Sequence, residues 1–235
     1  MNSQNNEQIQ GGYQDKENFD KSPYQTGILP ILRGIITAYN LVLNNDYSNI
    51  ENLEDKITGR LLIDFLEEDD FRAKVELLEY RFVSEPATYD DDFNQTGYVD
   101  IKVMVNHKIN GFYTTKADYI IECKRLDGRK DLNRKYITNG ICRFVNELYT
   151  KRNIHKVSAM LGFVVRKTEI SEIIAQINQI AIDERIEVNA IQPLDLHPVS
   201  DSFDYSYRSI HKTVSGKEAE IYHLMLDFSS KIKPK

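Results

Sequence analysis

The chain reads as a mixed α/β protein: one central sheet that carries an antiparallel hairpin and is flanked by helices. Three observations predict this. Two alternating segments, 99–105 and 119–125, bracket the turn dipeptide Asn110-Gly111 and define a hairpin. Val157 to Val165 is a short, almost wholly apolar run of the kind that fills the middle of a sheet. Behind it Ile170, Ile173, Ile174, Ile177 and Ile180 recur at helical spacing.

Taken in order, residues 1–23 are polar and charged with almost nothing apolar, so they are expected to be a mobile tail. Residues 24–235 are expected to form a single domain, since a chain of 235 residues can bury a real core. Gly27 to Leu43 is strongly apolar and predicts a buried helix beginning near Pro30. Ser48-Asn49-Ile50-Glu51 has the form of a capping box, with Ile50, Leu53, Ile57, Leu61 and Phe65 as the stripe behind it. Glu54 falls beside that stripe, which puts a carboxylate at the edge of a buried face. Leu78, Tyr80 and Phe82 alternate within 75–84 as a first strand, and the acidic stretch 85–92 reads as a solvated loop.

Beyond the hairpin, Arg125, Arg129, Lys130, Arg134 and Lys135 make the richest local cluster of positive charge. A helix follows, with Ile137, Ile141, Phe144 and Leu148 as its apolar stripe and Asn139, Arg143 and Asn146 as a separate polar line. Gly140 leaves room there for a close neighbour. From Ser202 onward the pattern returns to strands, at 205–211 and 221–226, joined by a turn at Ser215-Gly216.

Composition excludes several classes. Two cysteines at unrelated positions give neither a disulfide framework nor a zinc pattern, and suit a reducing cytoplasm. No apolar run is expected to span a bilayer, and no membrane partner is expected. A net charge of −6 argues against broad adhesion to nucleic acid but allows a local basic groove. The five histidines lack metal-ligand spacing, His211 being the one kept as a site candidate. Walker, dinucleotide-fold and Gly-x-Ser-x-Gly signatures are absent, as are internal repeats.

The hairpin carries the chemistry. Residues two apart on a strand share a face, so Glu122 and Lys124 stand together while Cys123 turns away. Placing Asp100 opposite Glu122, with Val99 and Ile101 on the face of Tyr119, Ile121 and Cys123, requires an even register. A strict two-residue loop at Asn110-Gly111 gives an odd one, so a longer loop or one bulge is expected. Two carboxylates held this close repel. Removing either is therefore expected to leave the fold as stable or slightly more so, and their pairing makes sense around a hard cation, Mg²⁺ or Mn²⁺.

Asp100 followed by Glu122-Cys123-Lys124 resembles the PD-(D/E)XK nuclease superfamily, with Val99 standing where the family carries Pro. The resemblance implies a restriction-endonuclease-like fold and hydrolysis of phosphodiester bonds, in DNA before RNA. It implies that Asp100, Glu122 and the Cys123 carbonyl hold the ion, that Glu54 (or Asp55) adds a further acid from the preceding helix, and that Lys124 acts on the attacking water or the developing charge. Arg125, Arg129, Lys130, Arg134, Asn139 and Arg143 are the candidates for holding nucleic acid. A stand-alone core of this kind is similar to bacterial or phage defence nucleases, with specificity drawn from a protein partner or from oligomerisation. The alternative is a nuclease-like scaffold that binds nucleic acid or a protein without cutting.

Overall fold

The computed structural model describes residues 23–46, 49–89, 95–109, 112–149 and 157–234. The elements run α1 (Pro23–Asn44), α2 (Glu54–Leu61), α3 (Asp69–Lys74), β1 (Tyr80–Ser84), β2 (Ala87–Tyr89), β3 (Gln95–Tyr98), β4 (Ile101–Ile109) and β5 (Phe112–Leu126). They continue with α4 (Lys130–Tyr136), α5 (Cys142–Val145), β6 (Val157–Val164), α6 (Ile170–Asp183), β7 (Ala190–Leu196), β8 (Ser206–Lys212) and β9 (Glu218–Asp227). One π-helical turn, Leu62–Leu66, follows α2, and another, Ile137–Ile141, joins α4 to α5.

A seven-stranded mixed sheet in the order β1-β4-β5-β6-β9-β8-β7 is the frame. β5, β6 and β9 run parallel at its centre, and the outer pairings are antiparallel. Every residue of β6 is buried, as expected of a strand covered on both faces. One face packs Ile101, Val103, Tyr119, Ile121 and Cys123 against the apolar sides of α1 and α2. On the other, Ile120, Leu126 and Met160 lie against the helical segment 136–145 and α6, whose Ile170, Ile173, Ile174, Ile177 and Ile180 are all buried.

The hairpin register is the even one. Ile109 pairs with Phe112, so only Asn110 and Gly111 lie between them, and both fall outside the described residues. The pairing then shifts between Val105 and His107, because β5 sets two residues, Thr115 and Lys116, against the single Asn106 of β4. Ile101 consequently faces Ile121, and Asp100, one step beyond, comes to Glu122.

Several expectations are corrected. α1 begins at Pro23, with Pro30 inside it, and Gly27–Asn44 is long and apolar enough to cross a membrane by length and composition. Ile28, Ile31, Leu32, Ile35, Ile36 and Val42 of that stretch are buried in the core, which is what its apolarity serves. α2 starts at Glu54 with no side-chain cap, so Glu51 belongs to no capping box. Ile50 is instead paired with the C-terminal segment: its N–H donates to the Lys231 carbonyl, and its carbonyl accepts from Lys233. β1 begins only at Tyr80, leaving Leu78 exposed, and 85–92 contains β2, paired with β3. Val99 joins the face opposite Ile101, because the chain leaves strand geometry at Asp100. Leu148 is exposed and Tyr149 buried, since the helix ends at Val145 and Glu147 takes a φ of 56°. β7 has no counterpart in the sequence reading.

His211 lies in the core within a single buried chain of hydrogen bonds. Its Nδ1 is 2.8 Å from the Val188 carbonyl, an acceptor, so that nitrogen carries the proton. Ser209 then donates to His211 Nε2 and accepts from His223 Nε2–H, and Tyr136 donates to His223 Nδ1. Each hydrogen has one acceptor only if both imidazoles are neutral. Burial holds both below their ordinary value, His223 further than His211. The unfolded chain therefore takes up these protons first as pH falls through about 6.5. The contribution of the pair is complete above that pH and declines below it. His223→Gln should lower stability at pH 7.5 yet flatten its fall between pH 7.5 and 5, as read by urea unfolding; equal slopes for variant and wild type would contradict the neutral pair.

Candidate active site

Three elements meet where β4 and β5 separate from α2. β5 brings Glu122 and Lys124 onto one face, the residue before β4 supplies Asp100, and the first residue of α2 supplies Glu54. Thr58 donates back to the Glu54 carbonyl, tying that turn together. The Lys124 ammonium lies 2.8 Å from Glu122 Oε1, 2.9 Å from Glu54 Oε1, 3.3 Å from Asp100 Oδ2 and 2.5 Å from the Cys123 carbonyl. Four oxygen groups converge on one cation. Backbone groups join in: the Cys123 N–H donates at 2.6 Å to Asp100 Oδ2, the oxygen that also faces Lys124, and the Arg125 N–H donates at 3.1 Å to the other Glu54 oxygen, Oε2.

Glu122 is fully buried and gripped from behind. Arg143 donates to its Oε1 at 3.1 Å and the Tyr149 hydroxyl to its Oε2 at 2.8 Å, while Arg143 also donates to that hydroxyl. Burial, followed by the Asp100 charge, pushes the Glu122 carboxyl up, and Lys124 and Arg143 oppose this. The donors of Lys124, Arg143 and Tyr149 aimed at its oxygens favour the charged form. Burial works against the Lys124 charge, but Asp100, Glu122 and Glu54 outweigh it and raise the ammonium well above its ordinary value. In this geometry Lys124 is a donor and a charge, not a base. Burial likewise pushes the Cys123 thiol far up, so its backbone groups serve the site and its sulfur does not.

The sequence candidates are sorted accordingly. Asp100, Glu122, Lys124, Glu54 and the Cys123 carbonyl are brought together. Asp55 instead lines the adjoining cleft of about 470 Å³, with Glu85, Ser84 and Thr58. Arg143 reaches the site through Glu122, whereas Asn139 is bonded to its neighbour Thr138. Arg125 spends its guanidinium on the Asn52 carbonyl and, at 3.1 Å, on Asn52 Oδ1. Arg129 pairs with Asp127, and both Lys130 and Arg134 pair with Glu184, at 2.8 and 2.5 Å. Gly140 does sit close to its neighbours: a Cβ there would collide with Met160 and lie 3.7 Å from Lys124 Cγ.

Tyr149 escaped the sequence reading because a continued helical stripe selects Leu148. The signal was Glu147-Leu148-Tyr149 lying past a helix whose end periodicity alone does not mark. Among the described residues, no three acidic, thiol or imidazole groups stand where they could hold a metal ion. The acids are gathered around an ammonium instead. No protein-family model, curated protein or solved structure matches the chain.

This geometry reverses the expectation that removing an acid relieves the fold. Glu122→Ala strips Lys124 and Arg143 of a shared buried partner, and should lower the unfolding free energy by roughly 3 kcal/mol in urea. Tyr149→Phe should cost about 1 kcal/mol. A Glu122→Ala protein as stable as wild type would show that repulsion from Asp100 dominates.

Proposed function

We propose that the chain is a divalent-metal-dependent hydrolase of phosphodiester bonds in nucleic acid, DNA before RNA, built on a restriction-endonuclease-like core. One observation carries this reading: oxygens of Glu54, Asp100, Glu122 and the Cys123 carbonyl all lie within 3.3 Å of a single cationic atom. An all-oxygen set of this kind fits Mg²⁺ or Mn²⁺ and not the softer metals. Those same four groups would hold the ion, provided that the Lys124 ammonium withdraws from their centre. When bound, such an ion polarises a phosphate and lowers the pKa of a coordinated water.

The chain's own residues do the rest. Arg143 and Tyr149 hold the Glu122 carboxyl in place through its two oxygens. The Cys123 and Arg125 N–H groups fix the orientations of Asp100 and Glu54. Lys124 keeps its proton and so offers a positive hydrogen-bond donor to the phosphate oxygens as charge develops on them.

A second reading has an observation of its own, since Lys124 already supplies the cation that the carboxylates need. The cluster would then be the ion network of a scaffold that binds without cutting. Incubation with linear, supercoiled and single-stranded DNA and with RNA, with and without Mg²⁺, separates the two. The hydrolase reading requires Mg²⁺-dependent cleavage of at least one substrate that Glu122→Gln abolishes; intact substrates throughout would favour the scaffold.

Lys124→Ala should lower the single-turnover rate by a factor on the order of a hundred or more, with little change in affinity measured in Ca²⁺. Glu54→Gln should cost about tenfold or more in rate, and Asp55→Asn less than about twofold, because only Glu54 reaches the cluster. Equal losses for the two would remove Glu54 from the site.

A further inference from the structure

The two cavities beside the candidate site differ in charge. The cleft of about 470 Å³ is lined by Glu54, Asp55, Glu85 and Asp100 and by no cation. A phosphate is repelled from such a wall wherever no cation offsets it. A second pocket, of about 510 Å³, is lined by Asn52, and its charged lining is Arg129, Arg166, Lys167, Lys233 and Asp127. Four cations face one carboxylate there, and Arg129 already satisfies that carboxylate.

The position of this pocket follows from the topology. β5, β6 and β9 are parallel and end at Leu126, Val164 and Asp227. Asp127 and Arg129, then Val165, Arg166 and Lys167, then Ser229 are the residues just past those ends, and all of them line the pocket. The carboxyl ends of parallel strands are where open α/β sheets bind ligands, because the loops diverge there and leave a crevice. Lys124 lies three residues before Asp127 on β5, so the pocket mouth is ~10 Å from the candidate site along the strand.

The side chains of Arg166 and Lys167 are exposed, as is that of Lys233. None of the three has a carboxylate partner among the described residues. They differ in this from Lys130 and Arg134, which share the Glu184 carboxylate.

We propose that this pocket seats the phosphate backbone of a nucleic-acid strand whose scissile bond lies at the Lys124 cluster, with Arg166, Lys167 and Lys233 as its cations. The inference rests on the nucleic-acid reading of that cluster. It moves the binding surface away from the outer face of α4 to the ends of the central strands, and the acidic cleft opposite gives the strand a polarity of approach.

The test is fluorescence anisotropy with labelled DNA and RNA oligonucleotides, single- and double-stranded, in Ca²⁺ over a salt series. Arg166→Gln with Lys167→Gln should weaken binding about tenfold or more near 0.1 M salt and reduce the log–log salt slope by about two, since two phosphate contacts are lost. Lys130→Gln with Arg134→Gln should change affinity by less than about twofold. Wild-type protein that cuts, paired with an Arg166→Gln/Lys167→Gln variant that binds as well as wild type, would overturn the pocket alone. Wild-type protein that binds no polymer at low salt would overturn both this proposal and the hydrolase reading. Inorganic phosphate or a mononucleotide binding as tightly as the oligonucleotides would show a small-anion site and overturn the strand assignment.

Discussion

The Lys124 ammonium is the point on which the site is balanced. Its side chain is 12% exposed and meets three carboxylates and a carbonyl, while Glu122 beside it has no exposure at all. Each charge is tolerable only because of the others: an unpaired ion in such a place costs several kcal/mol, and a pair repays this only when its geometry is good and its remaining oxygens are bonded. The surroundings supply those bonds. A bulge in β5 sets the register that brings Asp100 to Glu122, Arg143 and Tyr149 hold Glu122 from behind, and the backbone N–H groups of Cys123 and Arg125 bond Asp100 Oδ2 and Glu54 Oε2.

Most of this centre was legible in the sequence because it is local. Glu122 and Lys124 share a face by strand period alone, and the parity of the hairpin called for a longer loop or one bulge, of which the chain has the bulge. Glu54 was legible as a carboxylate beside an apolar stripe, although the capping box offered for that helix was not real. Ile50 is claimed by the segment around Ile232, a contact between distant parts of the chain that no local pattern encodes. Tyr149 was hidden for a similar reason. Its burial depends on where a helix stops, and a positive φ at Glu147 decides that.

Charge clusters were the least legible feature. Lys130 and Arg134 look free in the sequence, yet Glu184, some fifty residues on, pairs with both. Arg166, Lys167 and Lys233 look scattered, yet the parallel strands deliver them to one pocket. Counting charges along a chain says little about fields in space; the sheet order decides which cations keep their charge available. The fold thus places acids on one side of Lys124 and uncompensated cations on the other, an asymmetry invisible in a net charge of −6.

The central claim is that the carboxylates around Lys124 are a cradle for a divalent ion and not merely an ion network. Direct Mn²⁺ binding, followed by electron paramagnetic resonance on the wild-type protein and on Asp100→Asn and Glu54→Gln, tests it without reference to any substrate. The account predicts a bound Mn²⁺ whose affinity falls by about tenfold or more in each variant, competed by Mg²⁺. Wild-type protein that binds no Mn²⁺ at millimolar concentration, or binds it equally well in all three forms, would contradict it.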